Sequence, residues 1–291
     1  MSDAPSPTPS LLRRRLDEGR TIWAAGAYDA LSALLIDRAG FDAVFTTGFG
    51  ISASHLGQPD VELYTMTENL GVVRHMVSAV QRPVIADGDT GYGNVINVMR
   101  TVREFERAGV AGIVFEDQVM PKRCPAAATT LDVLPRHEAA RKIKAAVDAR
   151  RDRNFLIVAR TDAATVEETI ERACLYAEAG ADLVQPISRT VTSFADLQRL
   201  RQACGRPLSL QILGWLEKDL TPQQIESVAG LAVFPLVPLM TITAAIERNL
   251  AQLVADKHAR NLPLPQTSMA DFKKIIGFGA IEDLQKRYEM G

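Results

Sequence analysis

Three cysteines in 291 residues, Cys124, Cys174 and Cys204, are too few and too scattered for a disulfide framework or a zinc cage. Four histidines, His55, His75, His137 and His258, lack metal spacing and read as surface or packing side chains. There is no basic surplus. A formal net charge of −2 removes the footprint by which nucleic acid or anionic membranes are held. No apolar run approaches the ~18 residues of a membrane span. The opening MSDAPSPTPS lacks the charged-then-apolar layout of a signal peptide. A dinucleotide fingerprint is missing too, because the glycine-rich GYGN at 91–94 does not extend to G-x-G-x-x-G. These exclusions leave a cytoplasmic protein acting on small molecules as the expectation. The Pro and Ser of residues 1–10 suggest a flexible tail, ahead of one domain from 11 to 291.

What is present is a recurring phrase. AGFDAVFTT begins at Ala39, AGVAGIVFED at Ala108, AGADLVQP at Ala179 and AGLAVFPL at Ala229. Each reads as a helix-ending glycine (Gly40, Gly109, Gly180, Gly230) before a short apolar strand, the αβ junction of a repeated βα unit. The first three lie about 70 residues apart, two units per interval. Between them stand IWAA near 22, PVIAD from 83, FLIVAR from 155 and PLSLQIL from 207. That makes eight strands, near-continuous in apolar character as where both sheet faces are buried. Helical patterns follow each strand, at 28–39, 66–80, 94–108, 137–150, 166–179, 192–204, 222–229 and 241–257. The count favours an α/β fold of the (β/α)8 barrel type over an open doubly wound sheet. The final stretch from Thr267 is helical and surplus to eight units, expected to pack on the barrel or on a neighbouring subunit.

A barrel gathers its strand ends at one mouth. Strand three ends at Asp87 and Asp89, strand four at Glu116 and Asp117, strand five at Arg160 and Asp162, and strand two in Thr47-Gly48-Phe49-Gly50. Alternation would put Asp87 and Asp89 on one face, where they repel unless a cation intervenes. Hard oxygen donors of this kind suit Mg2+, or Mn2+. Arg160 is spaced to bind a substrate carboxylate bidentately. The bland alternative is a structural ion-pair network of Asp87, Glu116 and Arg160. From Asp117 to Pro135 no period is visible, and so long a loop above a barrel mouth reads as a lid. It carries Lys122, Arg123 and Cys124, and flanking cations would suit the thiol to proton transfer.

Taken together, YDALSALLIDRAGFDAVFTTGFGISASHLGQPD, DGDTGYGN, FEDQVMPKRCP and IVARTDA resemble the isocitrate lyase/phosphoenolpyruvate mutase superfamily over nearly the whole chain. The short 2-methylisocitrate lyase-like and carboxyphosphonoenolpyruvate mutase-like members are most similar in pattern. The resemblance implies Asp89 as the main Mg2+ ligand, with Asp87 and Glu116 holding metal-bound waters. It implies Thr47, Gly48 and Phe49 as a carboxylate-binding turn, with Asp60, Arg123 and Gln211 lining the substrate pocket. Arg160 and Lys122 would act with Cys124, the acid that protonates the departing carbanion. It also implies a last helix exchanged between subunits of a homodimer or homotetramer.

Departures from the family pattern are specific. Lyase lids read K-[KR]-C-G-H, whereas here Cys124 is followed by Pro125 and Ala126. Ile187 stands where an acid near strand six is expected, and Phe45 where lyases have a tyrosine. The mutase lid K-x-N-S is absent. The expectation is a Mg2+-dependent carbon–carbon lyase cleaving a small 2-hydroxy polycarboxylate, of the 2-methylisocitrate or dimethylmalate kind, to an α-keto acid and a carboxylate. An oxaloacetate decarboxylase or α-keto acid hydrolase is the first alternative. A carboxyphosphonoenolpyruvate phosphonomutase-like enzyme is the second, and a non-catalytic keto-acid binder the third.

Overall fold

The computed structural model describes residues 9–288. Residues 1–8 of the expected tail lie outside the described residues. Pro9 and Ser10, read as part of that tail, instead open the first helix, α1 (Pro9–Asp17).

Eight parallel strands close into a barrel in chain order: β1 (Ile22–Ala27), β2 (Ala43–Thr46), β3 (Val84–Asp87), β4 (Gly112–Glu116), β5 (Leu156–Thr161), β6 (Leu183–Pro186), β7 (Leu208–Gln211) and β8 (Ala229–Phe234). Closure is made by β1 on β8, with Ile22 opposite Leu231. The open-sheet alternative is therefore excluded. Between the strands run α2 (Ala30–Ala39), α3 (Gly48–Ile51), a π-helical turn (Ser52–Leu56), α4 (Met66–Ala79), α5 (Val95–Arg107), α6 (Arg136–Ala149), α7 (Val166–Glu178), α8 (Phe194–Cys204), α9 (Trp215–Asp219) and α10 (Pro222–Val228). The expected helices all form. α3 and α9 were not foreseen, being too short to show a period.

Side chains fill the barrel. Ala24, Ala43, Phe45, Ile85, Val114, Leu156, Val158 and Val233 belong to one buried cluster, which Leu12 of α1 also enters. Leu12 is fully buried, so truncating it to alanine should cost about 2–5 kcal/mol. A second layer packs α7, α8 and α10 on β6–β8 through Ala173, Leu197, Leu200 and Ile225.

Three of the four repeat glycines do end helices on left-handed backbone: Gly40 at φ 90°, Gly109 at φ 87° and Gly180 at φ 100°. Gly230 does not. It lies inside β8, where a Cβ would meet Leu16 Cδ2 at 2.7 Å and Pro207 Cβ at 2.8 Å, so its role is close packing.

A second compact unit begins at Leu239. It holds most of α11 (Val237–Asp256), then α12 (Met269–Ile275) and α13 (Phe278–Arg287), the last two parted by Gly277 at φ 81°. The helical reading of the final stretch holds there. Among the described residues no helix is long and apolar enough to cross a membrane.

Candidate active site

The mouth is lined as strand-end logic requires, with one exception. Asp87 ends β3, where its Oδ2 accepts from Gly48 N at 3.1 Å and its own N donates to Thr46 Oγ1 at 2.9 Å. Asp89 lies beyond the strand. A left-handed residue at φ 49°, rather than strand alternation, carries it over the mouth, where it is fully buried. Its Oδ2 accepts the hydroxyl of Tyr92 at 2.9 Å, and Asn69 Nδ2 donates to Tyr92 Oη at 2.7 Å.

Glu116 ends β4 and pairs with Arg160 of β5 at 2.8 Å. Arg160 also pairs with Asp162 at 2.9 Å. Asp117 is the exception. Adjacent strand residues face opposite ways, and its Oδ2 accepts from Arg172 at 3.0 Å and Tyr176 at 2.6 Å, both on α7. It ties barrel to helix and does not face the mouth.

The lid descends onto these acids. Lys122 is buried, with Nζ 2.6 Å from Asp89 Oδ1 and 3.0 Å from Asp60 Oδ1. Burial opposes its charge, yet Asp89, Glu116, Asp60 and Asp87 outweigh that and hold its pKa well above the usual lysine value. Its backbone N–H donates to Glu62 Oε2 at 2.9 Å, and Glu62 also accepts from Thr90 Oγ1. The next N–H, of Arg123, donates to Gln118 Oε1 at 2.9 Å, while Gln118 Nε2 donates to Asp162 at 2.9 Å. Gln118 thus links the lid backbone to the acid that holds Arg160.

The Arg123 side chain does not join the pocket. It is half exposed and pairs with Asp132 at 3.0 Å. With Lys122 turned onto acids and Arg123 turned out, neither cation of the KRC run is held for the half-buried Cys124, contrary to the expected flanking. Asp60 is in place; Gln211 donates to Gln185 Oε1 at 3.3 Å, leaving its own buried Oε1 without a partner. Thr47 caps α3 by accepting from Gly50 N at 3.3 Å. The expected anion-binding N–H of Gly48 is engaged by Asp87 in this conformation.

Burial dominates the titration of the acids. It raises Asp87, with help from Asp89, to about 6. It also raises Asp60, against the pull of Lys122, and Glu116, against the pull of Arg160. Asp60, Asp87, Asp89, Glu116 and Asp162 outnumber Lys122 and Arg160, the cations that pair with them, so negative charge is in surplus. Among the described residues no three acids, histidines or cysteines form a ready-made metal cage. Asp89 and Glu116 face the two cations instead. The donor set still fits a divalent cation, because it is all oxygen, anionic, and includes buried Glu116 Oε1, which has no hydrogen-bond donor, and Asp89 Oδ1, which is met by the Lys122 ammonium.

Several contributors were not legible beforehand: Glu62, Tyr64, Asn69, Tyr92, Gln118 and Arg189. Among the described residues only four non-glycine positions have left-handed backbone, and three of them, Glu62 (φ 57°), Asp89 and Tyr92 (φ 60°), stand here. Such strain, of order 1–3 kcal/mol per residue, persists where surroundings over-determine it. Arg189, in the loop after β6, donates to the carbonyls of Pro125 (3.1 Å), Ala128 (2.7 Å) and Thr129. The segments around Pro125 and Ile187, both departing from the lyase pattern, thus meet through one side chain.

The profile of the phosphoenolpyruvate phosphomutase family matches residues 12–252. The chain is 38% identical over 289 residues to 2,3-dimethylmalate lyase of Eubacterium barkeri, covering 98% of this chain and 99% of that one. Among solved structures, phosphoenolpyruvate phosphomutase from Streptomyces platensis subsp. rosaceus superposes with a TM-score of 0.89 at 31% identity, covering 97% of this chain and 99% of that one. Phosphonopyruvate hydrolase, solved in complex with oxalate and Mg2+, superposes with a TM-score of 0.87 at 29% identity, covering 97% and 99%. A closed barrel whose mouth carries the D-x-D turn, the E-D-Q strand end and a K-R-C lid, matched by this profile over residues 12–252, belongs to the phosphoenolpyruvate mutase/isocitrate lyase superfamily.

Proposed function

We propose that this chain is a Mg2+-dependent carbon–carbon lyase acting on a small, partly apolar 2-hydroxy polycarboxylate of the 2,3-dimethylmalate kind. The observation that carries the reading is the burial of Asp60, Asp89 and Glu116, with partly buried Asp87, beside Lys122 and Arg160, under a lid bearing Cys124. Asp89 would hold the metal directly, with Asp87 and Glu116 holding its waters. When bound, the ion offsets negative charge on the substrate's 2-oxygen.

The chain's own groups do the rest. The Thr47–Phe49 turn receives the carboxylate next to that oxygen, and Arg160, fixed by Glu116 and Asp162, offsets the negative charge on the 2-oxygen after a carboxylate of the mouth takes its proton and before it becomes the carbonyl. Asp60 and Gln211 line the pocket. Once the carbon–carbon bond breaks, its electron pair is left on the departing fragment, and Cys124 delivers the proton that quenches it.

Pro125, Ala126 and Ile187 supply no charge where a third carboxylate would need it. This supports a dimethylmalate-like substrate over 2-methylisocitrate, as does the likeness to the Eubacterium barkeri lyase. The fold similarity to phosphonopyruvate hydrolase supports a second reading, cleavage of an α-keto acid by water. Incubating the protein and Mg2+ with 2,3-dimethylmalate, 2-methylisocitrate, oxaloacetate and phosphonopyruvate, with products read by mass spectrometry, separates these. Pyruvate from dimethylmalate supports the lyase; efficient turnover of 2-methylisocitrate, at kcat/KM of ~10⁴ M⁻¹s⁻¹ or above, refutes the specificity.

The proposal extends to assembly. Ile246, Leu250 and Val254 recur along α11 at helical spacing and are exposed, as is Ile281 of α13. A second copy of the chain covering these helices, in a homodimer or homotetramer, would remove that apolar surface from water. Light scattering of the wild type and of Leu250→Glu tests this, and a wild-type monomer would sink it.

A further inference from the structure

Tyr64 lies in the connection between β2 and α4 and is 2% exposed. Its hydroxyl is buried and has no hydrogen-bond partner in the protein. A Cβ built on Gly48 would lie 2.7 Å from that hydroxyl and 2.8 Å from Asp87 Oδ2. The phenol oxygen therefore reaches into the small space between the Thr47–Phe49 turn and the acid pair. The neighbouring phenol is a contrast: Tyr92 both donates to Asp89 and accepts from Asn69, so it is fully engaged in holding the acid.

A buried hydroxyl left unpaired lowers folding stability, and phenylalanine would fill the same ring space without that cost. The oxygen therefore contributes nothing to the fold that the ring does not. Burial, then the charge of Asp89, keeps the proton on this phenol, so what it offers the site is a donor. Gly48 explains why it can reach. Any side chain there would occupy the position to which the hydroxyl points.

We propose that Tyr64 is a specificity-determining residue whose hydroxyl donates a hydrogen bond to the substrate carboxylate held by the Thr47–Phe49 turn. This rests on the α-hydroxy acid reading above and deepens it. The turn then recognises an anion from two sides, by backbone and by phenol. An analogue lacking that carboxylate would leave the donor unpaired and be rejected strongly, as buried polar sites reject ligands that cannot complete them.

Tyr64→Phe tests this with Mg2+ and oxalate as the probe, oxalate presenting two adjacent carboxylates. Three measurements are made on wild type and variant: thermal denaturation of the ligand-free protein, calorimetric titration with Mg2+ alone, and titration with oxalate at saturating Mg2+. The expected result is a melting temperature equal to or above wild type, unchanged Mg2+ affinity, and oxalate binding weakened roughly tenfold or more. Oxalate affinity within twofold of wild type overturns the proposal. So does a melting temperature lowered by several degrees, which would make the hydroxyl structural, or a matching loss of Mg2+ affinity, which would assign it to the metal's water. If wild type itself binds no oxalate, the keto-acid site fails and this proposal fails with it. Binding by wild type with no change in Tyr64→Phe removes only the role of Tyr64.

Discussion

Lys122 Nζ lies 2.6 Å from Asp89 Oδ1, so a lid lysine occupies the oxygen that the family pattern assigns to a metal. Its Nζ also meets Asp60 at 3.0 Å. Because the lysine comes down with the lid, closure and the charge state of the acid cluster are physically coupled. A cation at Asp89 and the ammonium of Lys122 compete for the same negative charge.

That competition predicts an unusual pair of effects for Lys122→Met. Mg2+ affinity of the substrate-free protein should rise about tenfold, since one positive charge leaves a buried anionic cluster. Turnover should fall, because the closed lid loses its contact with Asp60 and Asp89. Calorimetric titration with Mg2+ reads the first effect, and unchanged affinity would show that the two cations do not compete.

Asp87 gives a pH prediction for the metal-free protein. Its folded pKa is about 6, raised by burial and by Asp89, against an ordinary unfolded value near 3.8. Between those values the folded state binds the extra proton, so stability falls as pH rises through that window and flattens above it. Asp60 and Glu116, also raised, act in the same direction. The melting temperature should therefore climb as pH is lowered from 7 toward 5. Asp87→Asn should flatten the climb, and saturating Mg2+, which favours the ionised acids, should suppress it. A wild-type melting temperature that falls over this range contradicts the assignment.

The eight strands were readable because burial on both sheet faces writes continuous apolar runs, as in GIVFE of β4 and LIVART of β5. Gly230 was misread because a packing glycine and a helix-ending glycine share one letter; only Leu16 and Pro207, distant in sequence, tell them apart. Asp87 and Asp89 were rightly placed together for the wrong reason, since a strained turn and not the pleat brings Asp89 over the mouth. Asp117 was misplaced although it directly follows Glu116, because one residue's shift along a strand reverses the face. Glu62, Tyr64 and Arg189 left no trace in periodicity, for loops carry none.

Arg189 holds the lid by three carbonyls. It stands on a loop tied in turn by Trp215 Nε1, which donates to the carbonyls of Ser188 and Val191 at 3.0 Å each. The side chain is exposed, so solvent weakens each bond. Arg189→Ala should cut the closed population, and with it kcat/KM, by about fivefold, roughly 1 kcal/mol. Amide exchange at Ala127 and Ala128, whose N–H groups donate to Cys124 O, should quicken in parallel. Lysine at 189 should rescue little, since a single ammonium cannot reproduce the planar fork. Unaltered exchange would mean that the lid is held from elsewhere.

Cys124 separates the lyase from its rivals. In the lyase, the carbanion released when the carbon–carbon bond breaks must receive a proton, and the lid thiol is the group proposed to give it. Removing that general acid should cost roughly 10²–10⁴-fold in rate. In a decarboxylase, carbon dioxide departs first and water can protonate what remains, so the thiol is dispensable. Cys124→Ser is the informative change, because the hydroxyl keeps size and hydrogen bonding while being a far weaker acid. The expected outcome is a kcat at least about 10²-fold lower with KM little altered, the signature of an interaction made only in the transition state. Solvent isotope effects give an independent check, since a slow proton delivery should enlarge them in the variant. A Cys124→Ser enzyme within about threefold of wild type would instead favour the decarboxylase or hydrolase, and proton transfer from the lid would have to be abandoned.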